Sequence, residues 1–207
     1  MDMGAQYSRK TKETDVLIEV ATRGKGRAEA STGNGFFDHM LEQLAYHSLM
    51  DISVRATGDV QTGYHHLLED IGICLGRALK AAVSEGACPE GACTEGSGGK
   101  ESGNQTAIRR FGSATVPMDG SLARVALDIS GRGGAYIDAS GMDEDIVEFL
   151  KAFAREAGLT LHMDVLRSDN RHHASEACFK ALAISLRAAL EPDAAREGSS
   201  SSKGCIG

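Results

Sequence analysis

Two short stretches of this 207-residue chain carry adjacent histidines followed at fixed spacing by a carboxylate: His65-His66-Leu67-Leu68-Glu69 and His172-His173-Ala174-Ser175-Glu176. Both read HHxxE, at an offset of 107 (172 − 65). On a helix the first His and the Glu stand i, i+4 and share a face, while the second His is turned by about 100° and lies within i+3 of the Glu. Adjacent imidazoles therefore serve different ions more easily than one ion, and two facing copies of the motif could complete two sites. Imidazole and carboxylate without thiolate form a donor set for Mn, Fe or Zn rather than Ca or Mg. A single HHxxE is more readily the polar first turn of a helix. Two copies in register reverse that reading, the more so because His39 matches Glu148 at an offset of 109 (148 − 39). The candidate metal ligands are the pairs His39/Glu148, His65/His172, His66/His173 and Glu69/Glu176, enough for two sites of four.

The elements that position them repeat as well. Leu41 to Ala45 aligns with Leu150 to Ala154 at the offset of 109, and the apolar spacing predicts helices over Phe37 to His47 and Ile146 to Glu156. Alternation predicts a strand after each, Asp51 to Ala56 and Leu159 to Val165. Gly58-Asp59 and Ser168-Asp169-Asn170 read as turns, and the HHxxE segments open helices that end near Val83 and Leu190. Strand-like stretches precede each first helix, Thr14 to Thr22 with Arg27 to Thr32, and Arg110 to Pro117 with Ala123 to Ser130. Each half thus reads strand, strand, helix, strand, helix. The expected fold is α+β, two duplicated β-sheet/two-helix units packed as one body. The first repeat covers 1–83 and the second 107–192. Residues 84–106, rich in Gly, Ser and Glu, form an inserted flexible loop, and 193–207 are a C-terminal tail.

Composition narrows the partners. Twenty-two Lys and Arg against 29 Asp and Glu give a net charge of −7, and no basic run is present to neutralise phosphates, so neither nucleic acid nor an anionic membrane is expected. No apolar stretch approaches the roughly 20 residues that span a bilayer, and Met1 to Lys12 has no hydrophobic signal core, so the expected location is cytoplasmic. Five Cys, an odd number without CxxC, fit reduced thiols. Cys88 and Cys93 could chelate a metal, but the plain-loop reading is favoured.

Several motifs together resemble imidazoleglycerol-phosphate dehydratases: Gly35-Phe36-Phe37-Asp38-His39-Met40-Leu41-Glu42-Gln43, His65-His66-Leu67-Leu68-Glu69-Asp70, Arg110-Phe111-Gly112, Ser130-Gly131-Arg132, Thr160-Leu161-His162, the stretch His172 to Ala181, and Ser202-Lys203-Gly204. The resemblance covers nearly all of the chain outside 84–106. It implies a lyase of histidine biosynthesis with two Mn2+ per active site and a fold like ribosomal protein S5 domain 2. It also implies a homo-oligomer of twenty-four subunits with sites at subunit contacts. By carry-over, one Mn2+ is held by His39, His66, His172 and Glu176, the other by His65, Glu69, Glu148 and His173.

The implied reaction dehydrates imidazole glycerol phosphate to imidazole acetol phosphate, through a metal-bridged imidazolate and a diazafulvene-like intermediate. Glu13 is implied as the acid/base or hydroxyl-binding residue, with His65 and Glu69 also catalytic. The resemblance assigns the phosphate to Arg110, Arg132, Lys180 and the tail residues Ser201, Ser202 and Lys203, which could close as a lid. His47 is either a substrate contact or a capping residue, and His162 has no assignment. Two stretches depart from the family pattern, Gly63-Tyr64 in place of Asp-Asp and Asp119-Gly120-Ser121 in place of Asp-Glu-Ala. Two rivals use the same ligands: a metal-dependent hydrolase or oxygen-activating enzyme, and a metal-assembled structural oligomer.

Overall fold

Thr14–Ala21 and Asp51–Gly58 bury alternate residues, with Val16, Ile18, Val20, Ile52, Val54 and Ala56 all on one face, the period-two pattern that seats a strand on a core. The structure is a computed structural model and describes residues 4–58, 60, 63–85, 106–138, 140–197 and 200. In it these two segments are β2 and β4, inner strands of a four-stranded sheet edged by β1 (Ala5–Lys10) and β3 (Ala28–Ser31) in the order β1-β2-β4-β3. β2 runs antiparallel to both neighbours, and β3 is parallel to β4. Parallel neighbours need a crossover, supplied by α1 (Gly35–Ser48), and α2 (His65–Glu85) follows β4.

The second half repeats this plan with β6 (Phe111–Met118), β7 (Ser121–Ile129), β8 (Gly134–Asp138), α3 (Glu144–Ala157), β9 (Leu159–Arg167) and α4 (Arg171–Leu190), in sheet order β6-β7-β9-β8 with the same strand directions. A short strand before it, β5 (Thr106–Ile108), pairs with β10 (Pro192–Glu197) near the C-terminal end.

The α+β fold with duplicated units is therefore present, but each half holds one strand more than the sequence pattern indicates. The unread strands, β1 and β8, are sheet edges. Ala5 is the one buried residue of β1, and β8 has none, so neither shows the alternation of a half-buried strand. In consequence Arg110 to Pro117 and Ala123 to Ser130 correspond to β1 and β2, not to β2 and β3. The start of the tail is also ordered, because β5 offers Pro192–Glu197 a partner strand. α2 ends at Glu85 and β5 begins at Thr106; of the expected loop, residues 86–105, with Cys88 and Cys93, lie outside the described residues.

α2 packs on β1 and β2, α4 on β6 and β7, and the helices meet across the halves, α2 on α3 and α1 on α4. One core results, in which Phe37 makes edge contacts with Phe149 and Phe179 while Phe149 stacks on Phe179. At the α2/α3 crossing a side chain would not fit. A Cβ at Gly72 would lie 2.6 Å from the Phe149 carbonyl oxygen, and one at Gly76 2.7 Å from that of Phe153. The matching α4 positions, 107 residues on, hold Phe179 and Ala183, so the duplication does not extend to this contact.

α1 and α3 both end in a left-handed residue, Leu49 at φ 60° and Gly158 at φ 69°. Cβ strain penalises this conformation in an L-residue by about 1–2 kcal/mol and spares glycine. Leu49→Gly is therefore expected to raise stability in urea unfolding by about 1 kcal/mol. Gly158→Ala should lower it, since its Cβ would also come within 3.0 Å of the Gly131 backbone.

Candidate metal centre

The N-cap residues aim the first cluster. Asn34 caps α1 by accepting from the Phe37 N–H at 3.1 Å, and Asn170 caps α4 by accepting from the His173 N–H at 2.9 Å, each satisfying an orphan donor of a first turn. The α1/α4 contact then brings His39 to His172 and Glu176. His39 Nε2 lies 3.7 Å and His172 Nε2 3.3 Å from the same Glu176 Oε2, and the two rings stack at 6.1 Å. The three ligand atoms fall within 4.8 Å of one another, the one such group of three or more among the described residues.

Glu176 is buried, and its other oxygen accepts from Lys180 Nζ at 2.7 Å. Burial pushes the carboxyl up, but the Lys180 hydrogen bond and charge, with His39 and His172, outweigh it and hold the pKa below the usual carboxylate range. An ionised carboxylate facing two imidazole nitrogens, at separations longer than ordinary hydrogen bonds, suits a divalent cation between them. The residues thus fit a metal, with one ligand of the carried-over set, His66, outside the group.

His65, Glu69 and Glu148 occupy the equivalent place on the α2/α3 contact, but their partners are residues of α3 rather than one another. His65 Nδ1 is 3.3 Å from Asp145, Glu69 is 3.9 Å from Arg155, and Glu148 is 2.7 Å from Lys151. His66 Nδ1 faces Glu13 Oε2 at 3.4 Å, so the candidate acid/base, on the β1–β2 turn, shares the N-terminal end of α2 with two histidines. Glu13 borders a shallow depression of about 350 Å3 with Lys10, Lys12, Asp15 and Thr57.

His173 sits on α4 with Nδ1 2.9 Å from Asp169 and Nε2 3.5 Å from Asp119. Hydrogen bonds from Ser121 and His173 hold Asp169 down to about 2, and the Asp169 hydrogen bond raises His173. Asp119, Asp145 and Asp169 were not among the sequence candidates. Their signal, a carboxylate in a turn or first helical turn opposite a His, emerges only from tertiary contact.

The substrate candidates divide. Lys180 joins the first cluster through Glu176, and His47, at the end of α1, is close enough to sense both. Burial and the Lys180 charge lower the His47 pKa against the opposing pull of Glu176. The unfolded chain takes up that proton near 6.5 while the folded chain resists it, so this contribution to stability is lost as pH falls below that value. His47→Gln is expected to flatten that part of the stability profile, read from unfolding midpoints between pH 5 and 8, a window bracketing the ordinary His range of about 6.5.

Arg110 forms a two-pronged ion pair with Asp128 at 2.6 and 3.0 Å, and its Nη1 donates to the Ser200 carbonyl at 3.3 Å. Ser200 Oγ in turn donates to the Ile108 carbonyl at 2.6 Å. The chain thus reaches Ser200 beside Arg110, whereas Ser201, Ser202 and Lys203 lie outside the described residues. Arg132 is exposed in the turn after β7. Buried Cys74 and Cys178 are pushed up to about 11 and about 12 by desolvation, too high for reactive thiolates at neutral pH. Among the described residues no helix is long and apolar enough to cross a membrane.

The imidazoleglycerol-phosphate dehydratase family model matches residues 32–89 and 97–186. The imidazoleglycerol-phosphate dehydratase of Rhodopseudomonas palustris (strain BisB5) is 43% identical over 213 aligned positions, covering 98% of each chain. That of Thermoanaerobacter sp. (strain X514) is 43% identical over 211, again covering 98% of each. Among solved structures, the enzyme from Pyrococcus furiosus, in complex with (S)-C348, matches at TM-score 0.73 and 34% identity, covering 95% of this chain and 98% of that one. The enzyme from Staphylococcus aureus subsp. aureus N315 matches at TM-score 0.71 and 31% identity, covering 91% and 99%.

Proposed function

The chain belongs to the imidazoleglycerol-phosphate dehydratase family, hydro-lyases of histidine biosynthesis, and we propose from this and from its geometry that it uses two Mn2+ at a site completed between copies of the chain. The observation that carries the proposal is the His39/His172/Glu176 group, which converges on one point with three ligands. Its fourth ligand by resemblance, His66, stands on α2, and the fourth ligand of the other set, His173, stands on α4. The α1/α4 face of one copy therefore supplies three ligands to one ion and one to the other, and the α2/α3 face of a second copy supplies the remainder. Such a heterologous contact, repeated around rotation axes, closes into a symmetric assembly, here the 24-mer.

When bound, Mn2+ would supply Lewis acidity that makes the azole ring an electron sink. The protein's own groups do the rest. Lys180 keeps Glu176 ionised; Glu13, beside His66, takes the C2 proton once the C3 hydroxyl has left, giving an enol that becomes the ketone. Arg110, Arg132 and Lys180, with the Ser201-Ser202-Lys203 segment that follows Ser200, would bind the phosphate.

The test is to strip the protein with chelator and assay it on imidazole glycerol phosphate with and without Mn2+, following the enolate absorbance of the keto product. The proposal expects product only with Mn2+. Full turnover by metal-free protein, or none by the Mn2+-loaded protein, would contradict it.

A further inference from the structure

The turn between β6 and β7 is Asp119-Gly120, and Ser121 follows it. Gly120 and Ser121 both meet Asp169, on the turn before α4. Ser121, 1% exposed, donates from Oγ to Asp169 Oδ1 at 2.5 Å and accepts from the Asp169 N–H at 3.2 Å, clasping that residue by main chain and side chain together. A Cβ at Gly120 would lie 2.8 Å from Asp169 Cβ and 3.0 Å from Oδ2, so the absent side chain is what lets the carboxylate lie there. Asp169 Oδ2 then meets His173 Nδ1 at 2.9 Å.

We infer that Gly120, Ser121 and Asp169 form a brace that positions His173 as a metal ligand, with Ser121 and Gly120 as positioning residues acting through Asp169. An ionised carboxylate only accepts, so Asp169 requires the imidazole proton on Nδ1 and leaves the Nε2 lone pair for a cation. Asn170 Nδ2 also stands 2.8 Å from Nδ1; it cannot donate there while Nδ1 donates to Asp169, and its own Oδ1 is engaged by the His173 N–H. Ser121 Oγ and the Asn170 N–H, which donates at 2.9 Å, together fix the far oxygen of the carboxylate against rotation about χ2. The two positions where this chain departs from the family's common Asp-Glu-Ala thus act on one side chain. Among the described residues His66 Nδ1 faces the exposed Glu13 instead.

The inference rests on His173 being a ligand, and the experiment separates the two. Free Mn2+ is measured by electron paramagnetic resonance while the metal-stripped, full-length assembled protein is titrated, for wild type and for His173→Ala, Asp169→Asn, Ser121→Ala and Gly120→Ala. Assembly and thermal midpoint are monitored alongside. Wild type is expected to show two Mn2+ per chain and His173→Ala to lose one. Asp169→Asn should weaken that same class by about 10- to 100-fold, and Ser121→Ala and Gly120→Ala by about threefold or more, with the other class unchanged.

Ser121→Ala added to Asp169→Asn should cost nothing further, as for two parts of one chain of contacts. A general structural defect would weaken both classes together, and that result overturns the brace. So does wild-type binding by Asp169→Asn and Ser121→Ala when His173→Ala has lost a class. If His173→Ala binds both ions, the ligand assignment fails, and the brace with it.

Discussion

His172→Ala is expected to abolish turnover, a loss of at least about 1000-fold corresponding to some 4 kcal/mol of barrier, and to release metal. His172 is one of two imidazoles that meet Glu176 Oε2, at 3.3 Å. Without it the buried carboxylate keeps only Lys180 and His39 nearby, too few donors for a tightly held ion. His65→Ala should do the same at the other ion, because turnover needs both ions of the pair. Metal content by elemental analysis and turnover are the two readings. Full Mn2+ content and turnover in either variant would refute the two-site assignment.

Gly72→Leu has the largest expected effect on folding. Even a Cβ there meets the Phe149 carbonyl at 2.6 Å, and backbone cannot yield as a side-chain tip does. α2 and α3 would have to separate, opening the core that both halves share, for about 3 kcal/mol or more. Urea unfolding should show the loss. The counterpart Phe179→Leu keeps the residue apolar and one size smaller, so it should cost less, about 1–2 kcal/mol. Equal destabilisation by the two would mean that the α2/α3 contact is not the constraint described.

The duplication was legible because it repeats costly residues. HHxxE at an offset of 107, and His39 against Glu148 at 109, imply the helices that carry them, and α1/α3 and α2/α4 start and end within a few residues of expectation. The edge strands β1 and β8 were illegible because neither buries enough residues to alternate. The α1/α4 contact that assembles His39, His172 and Glu176 was implied only by resemblance: spacing says that His172 and Glu176 share a face, not which helix approaches it. Asp169 was readable as a turn residue and Asn170 as a cap, but their contact with Ser121 spans 48 residues and depends on sheet register. His66 and His173 matched as a pair, yet among the described residues neither joins a ligand group within the chain, and for that reason the proposed site takes in a second copy.

The sharing of one site between copies is tested most directly by mixing. His66→Ala breaks the α2/α3 face and His172→Ala the α1/α4 face; each alone is expected to be inactive. Co-assembled in equal amounts, they should regain about a quarter of wild-type Mn2+-dependent dehydration, since random mixing pairs an intact α1/α4 face with an intact α2/α3 face at that frequency. His65→Ala mixed with His66→Ala, both on the α2/α3 face, should stay inactive. No recovery in the first mixture, in assemblies shown to contain both chains, would contradict the shared site.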